Sequence, residues 1–169
     1  MSTPKIQKTL VLFKPDAVQR GLVGEIMTRF ERVGLKIVGI KMLTPDRDHY
    51  HKHYEEIGQV ITRRGEKTFN NVLETMTEGP VIALVLEGVE AVELVRKLVG
   101  STEPKSSAPG TIRGDFSHMS YAYADDADKA IPNLIHASGD LSDAEQEVSH
   151  WFSDAELYDY SALHEKFTR

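Results

Sequence analysis

Apolar positions follow two rhythms along the chain, and the changes between them predict its elements. Thr9 to Lys14 reads Thr-Leu-Val-Leu-Phe-Lys, a run of strand formers stopped by Pro15, and predicts a buried strand. Between Gly21 and Gly34 the period lengthens. Leu22, Val23, Ile26, Phe30 and Val33 share one helical face, with Glu25, Arg29 and Arg32 between them. Lys36 to Leu43 alternates again and predicts a second strand with one face buried. Asp46 to Glu56 reads as a polar helix capped by its aspartate, and Glu66 to Thr77 as a helix carrying Phe69, Val72, Leu73 and Met76. After the break at Gly79-Pro80, Val81 to Leu86 is the most apolar stretch and predicts a central strand. Val89 to Val99 is amphipathic and helical, with Val92, Leu94, Val95, Leu98 and Val99 inward.

Past Gly100 the pattern fades. Ser101 to Gly114 holds Pro104, Pro109, Gly110 and Gly114 and predicts a long loop, the kind of segment that tends to carry function. A last strand and a short helix over Ala144 to Phe152 follow, the helix with Val148, Trp151 and Phe152 as its apolar side. No repeat or linker interrupts residues 1–169, so one domain is expected: an α+β sandwich with helices on one face of an antiparallel sheet.

Composition narrows the function classes. A chain of 169 residues, 40% hydrophobic and 27% charged, can bury a real core. With no cysteine there is no disulfide, thiolate metal site or cysteine nucleophile. Met1 to Lys8 is polar, without the apolar core of a signal peptide, and no apolar run reaches the roughly 20 residues that span a bilayer. These features fit a cytoplasmic protein that does not contact membranes. A net charge of -6 argues against a nucleic-acid partner, although a local basic pocket could still hold a small polyphosphate.

Neither G-x-x-x-x-G-K-[ST] nor G-x-G-x-x-G occurs, so phosphate would have to be held by other means. Three places offer such means. Lys14 ends an apolar strand, where it either meets water or faces a phosphate or sugar hydroxyl. Arg113 lies between Gly110 and Gly114; it either pairs with Asp115 at the surface or offers its fork to an anion, with Arg96 and Thr102 as helpers. His136 follows Leu134 and Ile135. It is either a packed residue or a nucleophile whose second nitrogen is oriented by Ser138 or Glu147. His49, His51 and His53 cannot converge on one ion from a helix, so they are read as solvated surface beside Tyr54.

Taken together, these segments resemble the nucleoside diphosphate kinase family from about Lys8 to Tyr160. The resemblance rests on Lys14-Pro15-Asp16 with Gln19-Arg20-Gly21-Leu22-Val23-Gly24-Glu25-Ile26, on Pro109-Gly110-Thr111-Ile112-Arg113-Gly114-Asp115, and on Asn133-Leu134-Ile135-His136. It implies a ferredoxin-like fold, assembly into hexamers or tetramers, and Mg²⁺-dependent transfer of a γ-phosphate between nucleotides by a ping-pong route. The family histidine falls on His136. Arg96, Thr102 and Arg113 fall on phosphate-holding positions, and Lys14 and Asn133 on those that hold the sugar, Lys14 also lying near the transferred phosphate. Tyr54 matches a tyrosine beside the histidine, Glu147 the acid that orients it, and Ser138 the serine behind that acid.

Three departures accompany the resemblance. Ala137 and Gly139 replace the family's glycine and the acid that helps hold Mg²⁺, with Asp140 one residue further on. Thr68 stands where a phenylalanine stacks the base, leaving Phe69, Ile61 or no ring for that role. The segment from Phe116 to Pro132 is longer than the family pattern. A regulatory relative that binds nucleotide without turnover is the alternative, and the retention of the whole residue set argues against it.

Overall fold

The computed structural model describes residues 5–169, so the first four residues of the polar N-terminal stretch lie outside it. Four strands form one antiparallel sheet in the order β2-β3-β1-β4: β1 (Ile6–Phe13), β2 (Lys36–Leu43), β3 (Val81–Val89) and β4 (Ile135–Ala137). The connection from β1 to β2 carries α1 (Pro15–Gln19) and α2 (Val23–Arg32) across β3, and α6 (Ala91–Val99) leads from β3 back toward β4. This is the ferredoxin-like α+β arrangement.

Helices cover both faces of the sheet, not one as expected. The reason is written in β1 and β3, whose consecutive apolar residues are buried on both sides. Val11, Phe13, Leu84 and Leu86 pack against Ile26 and Phe30 of α2 and Val95 and Val99 of α6. Leu10, Leu12, Ala83 and Val85 pack on the opposite side. That second layer comes from α3 (Arg47–His51), α5 (Glu66–Thr77) and α9 (Leu141–Trp151), through Tyr50, Phe69, Leu73, Met76, Val148 and Trp151. Continuous apolar strands of this kind are the mark of a doubly covered sheet.

Local chemistry sets the helix ends. The Asp46 carboxylate accepts from the His49 amide, as the capping reading requires, and α3 then widens into a π-helical turn over Lys52–Ile57. A short α4 (Val60–Arg64) precedes α5. The expected Ser101–Gly114 loop is more ordered than its composition suggests. Pro104–Ser106 forms a 3-10 turn, and the Thr111 hydroxyl caps α7 (Ile112–Phe116) by accepting from the Gly114 amide. The longer segment after it contains α8 (Tyr121–Asp126), capped by Ser120. The chain ends with α10 (Glu165–Thr168), and the Tyr158 amide donates to Val38 along the outer edge of β2. No helix among the described residues is long and apolar enough to cross a membrane.

Candidate active site

The backbone immediately before His136 is strained. Leu134 has φ +70°, the left-handed region that a branched side chain disfavours at a cost of about 1–3 kcal/mol. Its neighbours hold it there. The Asp16 carboxylate accepts from the Leu134 amide at 3.0 Å, and the Lys14 amide donates to the Leu134 carbonyl at 2.9 Å. The Ile135 amide closes the turn on the Asn133 carbonyl at 2.8 Å. Pro15 opens α1 at the position where its missing N–H costs nothing, which delivers Asp16 to this turn. The Lys14-Pro15-Asp16 string therefore fixes the geometry of the Asn133–His136 string.

That turn sends the two side chains into one cavity of about 530 Å³. His136 lies opposite Leu12 in the sheet and faces the layer that holds α9. Its Nε2 lies 2.9 Å from Glu147 Oε1, and the Ser138 hydroxyl donates to Glu147 Oε2 at 2.6 Å. Ser138 Oγ in turn accepts from the Leu10 amide of β1. A carboxylate can only accept from the ring, so the proton sits on Nε2 and the lone pair is left on Nδ1. Burial of Glu147 opposes ionisation, yet the His136 and His53 charges and the bonds from His136 and Ser138 hold its carboxyl down to about 2.

The cations arrive by separate routes. Lys14 Nζ donates to Asn133 Oδ1 at 2.9 Å, and Asn133 Nδ2 donates to the Thr102 carbonyl at 2.9 Å. Burial lowers the Lys14 ammonium to about 8, with Asp16 raising it and Arg113 lowering it further. Arg113 departs from the surface ion-pair reading. It sits in the first turn of α7, only 7% exposed, and donates to the carbonyls of Asn133, Gly100 and Ile135. Two of its five N–H groups remain for a ligand. Burial lowers it to about 10, so it stays charged, while Asp115 pairs with Arg29 at 2.6 Å. Arg96 and Thr102 line the same cavity, and so does Tyr54, whose ring centroid is 6.2 Å from that of His136.

One reading is overturned here. His53 is not solvated surface: it is 1% exposed and its ring meets the His136 ring edge-on at 4.5 Å. Trp151 Nε1–H donates to its Nδ1 at 3.1 Å, and burial with the His136 charge holds its pKa well below the usual value. His51, by contrast, is exposed. The departures noted in sequence also find their places. A Cβ on Gly139 would lie 2.5 Å from Asp143 Oδ2, so the Asp143 carboxylate fills the space that a side chain at 139 would enter. Asp140 caps α9 through the Asp143 amide. Phe69 packs in the core, Ile61 is partly buried against it, and Thr68 lines the cavity.

The family profile described as nucleoside diphosphate kinase matches residues 7–157. The nucleoside diphosphate kinase of Borreliella burgdorferi is 47% identical over 155 residues, covering 92% of each chain. That of Pyrococcus furiosus is 47% identical over 165 residues, covering 98% of this chain and 94% of its own. Among solved structures, a transition-state mimic of the Borrelia burgdorferi kinase with bound vanadate and ADP superposes with a TM-score of 0.93 at 45% identity, covering 96% of both chains. A Halobacterium salinarum kinase in complex with CDP superposes at 0.83 and 38% identity, covering 96% of this chain and 98% of that one. With its fold, its cavity and these likenesses in agreement over nearly its whole length, the chain belongs to the nucleoside diphosphate kinase family.

Proposed function

We propose that this phosphotransferase carries the γ-phosphate of a nucleoside triphosphate on Nδ1 of His136 and passes it to a nucleoside diphosphate. The observation that supports this reading is the bond from His136 Nε2 to Glu147, which leaves Nδ1 with its lone pair in a cavity lined by cations. In the first half-reaction the Nδ1–phosphorus bond forms and the bond from phosphorus to the β–γ bridging oxygen breaks. The electron pair leaves on the diphosphate. The ring, now cationic, stays paired with the Glu147 carboxylate. In the second half an oxygen of the incoming diphosphate attacks the same phosphorus and the pair returns to Nδ1. Arg96, Arg113 and Lys14 offset the charge on the moving phosphoryl oxygens, and Lys14 and Asn133 hold the sugar hydroxyls. Residues 1–169 act as one domain in this scheme.

A divalent cation fits the acidic end of the cavity. Asp140, Asp143 and Glu147 crowd together there, and burial with the charges of Asp140 and Glu147 raises the Asp143 carboxyl. Asp143, with Asp140 behind it, would face a nucleotide-bound Mg²⁺, which supplies charge neutralisation on the phosphate oxygens. Self-assembly fits the apolar side chains on β2, where Ile40 and Met42 are 52% and 58% exposed, and the particle mass in light scattering tests it.

Incubation with γ-labelled ATP should give an acid-labile, base-stable label that a diphosphate removes. Label that stays trapped, or never forms, would favour the regulatory reading. Lys14 adds a pH dependence. Its folded value of about 8 lies below the ordinary 10.5, so it is charged at neutral pH and loses its proton above about 8. Between pH 8 and 10 kcat should therefore fall and KM for nucleotide rise, because Lys14 acts on both the moving phosphoryl group and the sugar. Lys14→Met should already show the low kcat and high KM at pH 7 and flatten the profile.

A further inference from the structure

The segment from Ser117 to Pro132 is absorbed by none of the roles above, yet it is firmly held over the cavity. On one side the Lys105 amide donates to the Met119 carbonyl at 3.0 Å, and the Tyr121 amide to Glu103 Oε1 at 2.9 Å. Both partners adjoin the loop that carries Thr102. On the other side Asp128 pairs with Lys67 at 2.8 Å and lies 3.5 Å from Asn71, both on α5. The segment thus spans from one wall of the cavity to the other, and Tyr121 and Ala124 of α8 line it.

Tyr121 meets Arg64 there. Arg64 Nη1 donates to the tyrosine hydroxyl at 2.8 Å, and the guanidinium carbon lies 5.3 Å from the ring centroid. Arg64 takes part in none of the ion pairs among the described residues, in contrast to Lys67 close by. One of its five N–H groups is used, and four remain. Tyr121, Arg64 and Arg113 line the same cavity. Arg64 therefore shares the cavity with Arg113, aimed by a neutral hydroxyl that does not quench its charge. A guanidinium fixed in this way loses less freedom on gripping a phosphate than a free surface arginine does.

We propose that Arg64, aimed by Tyr121 of the long segment, is a further arginine that grips the nucleotide's phosphates. The inference rests on the nucleotide reading of the cavity. It gives the segment a purpose: to bring a hydroxyl from outside the sheet to a side chain on α4.

Titration calorimetry with ADP, AMP and adenosine separates a phosphate contact from a general one. Arg64→Met should weaken ADP about tenfold, the scale of one charge-assisted contact, and leave adenosine unchanged. Tyr121→Phe should weaken ADP severalfold, again sparing adenosine. The double variant should be no weaker than Arg64→Met alone, because the hydroxyl acts through the guanidinium. Arg64→Lys should restore part of the ADP affinity, which a purely structural role would not predict. Equal losses for adenosine and ADP, or no loss of ADP affinity, would overturn the proposal. Both variants should still take label from saturating γ-labelled ATP. If the unaltered protein takes none, the phosphohistidine reading fails, and the ADP-to-adenosine ratio still judges Arg64.

Discussion

His136→Ala should lower nucleotide phosphotransfer by at least about 10⁴-fold, the scale seen when a covalent nucleophile is removed. No label from γ-labelled ATP should remain on the protein after a base quench. Binding of ADP should survive, because the cations of the cavity are held without the ring. Arg113 is fixed by three backbone carbonyls, and Lys14 by Asn133. The variant should also melt a few degrees lower. Glu147 is buried, and losing the bond from His136 Nε2 leaves a carboxylate with Ser138 as its one remaining side-chain donor. Calorimetry, label retention and steady-state turnover on one preparation give the three readouts. Appreciable turnover in the variant would place the phosphoryl carrier on another side chain.

Much of this arrangement could be read from the chain, for physical reasons that differ by element. β1, β2, β3, α2, α5 and α6 are long enough for their periods to be unambiguous, and each lies within a few residues of its predicted span. The double covering of the sheet was also present in the sequence, in the unbroken apolar runs of β1 and β3. The order of strands and helices, which suggested one layer, does not record them. His53 was hidden for a different reason. The π-helical turn bonds the Gly58 amide to the His53 carbonyl, five residues back, and so shifts every later side chain relative to a 3.6-residue wheel. Its inward aim comes from Trp151, nearly a hundred positions away, which no local pattern records.

The loops were the least legible. Arg113 was read as a loop residue between glycines, whereas Thr111 starts a helix there and three carbonyls anchor the guanidinium. A Thr followed by three residues of mixed character gives only a weak capping signal. The Arg64–Tyr121 bond joins positions 57 apart, which no local pattern relates. By contrast, Lys14, Asn133, His136, Ser138 and Glu147 were grouped by resemblance, and the structure links them through a continuous set of hydrogen bonds and strand pairings.

Glu147→Gln should lower kcat by about 10²-fold with little change in KM, and this split tests what the carboxylate does. The amide oxygen can still accept from His136 Nε2, so the tautomer survives. What is lost is the negative charge beside a ring that becomes cationic when Nδ1 is phosphorylated. Two unit charges about 4 Å apart near a protein surface interact by about 4 kcal/mol, and retaining part of that for the transition state accounts for a loss of this size. The same substitution changes acid stability in a defined direction. Glu147 is held at about 2 in the folded protein against an ordinary 4.5, so its charge stabilises the fold above about pH 4.5. That contribution is lost as pH falls toward 2, and the glutamine variant should show a flatter fall in melting temperature over that window. Glu147→Ala removes the acceptor as well as the charge, frees the ring to take the other tautomer, and should lower kcat further than glutamine does. Equal kcat values for the glutamine variant and the unaltered protein would mean that Glu147 serves the fold alone.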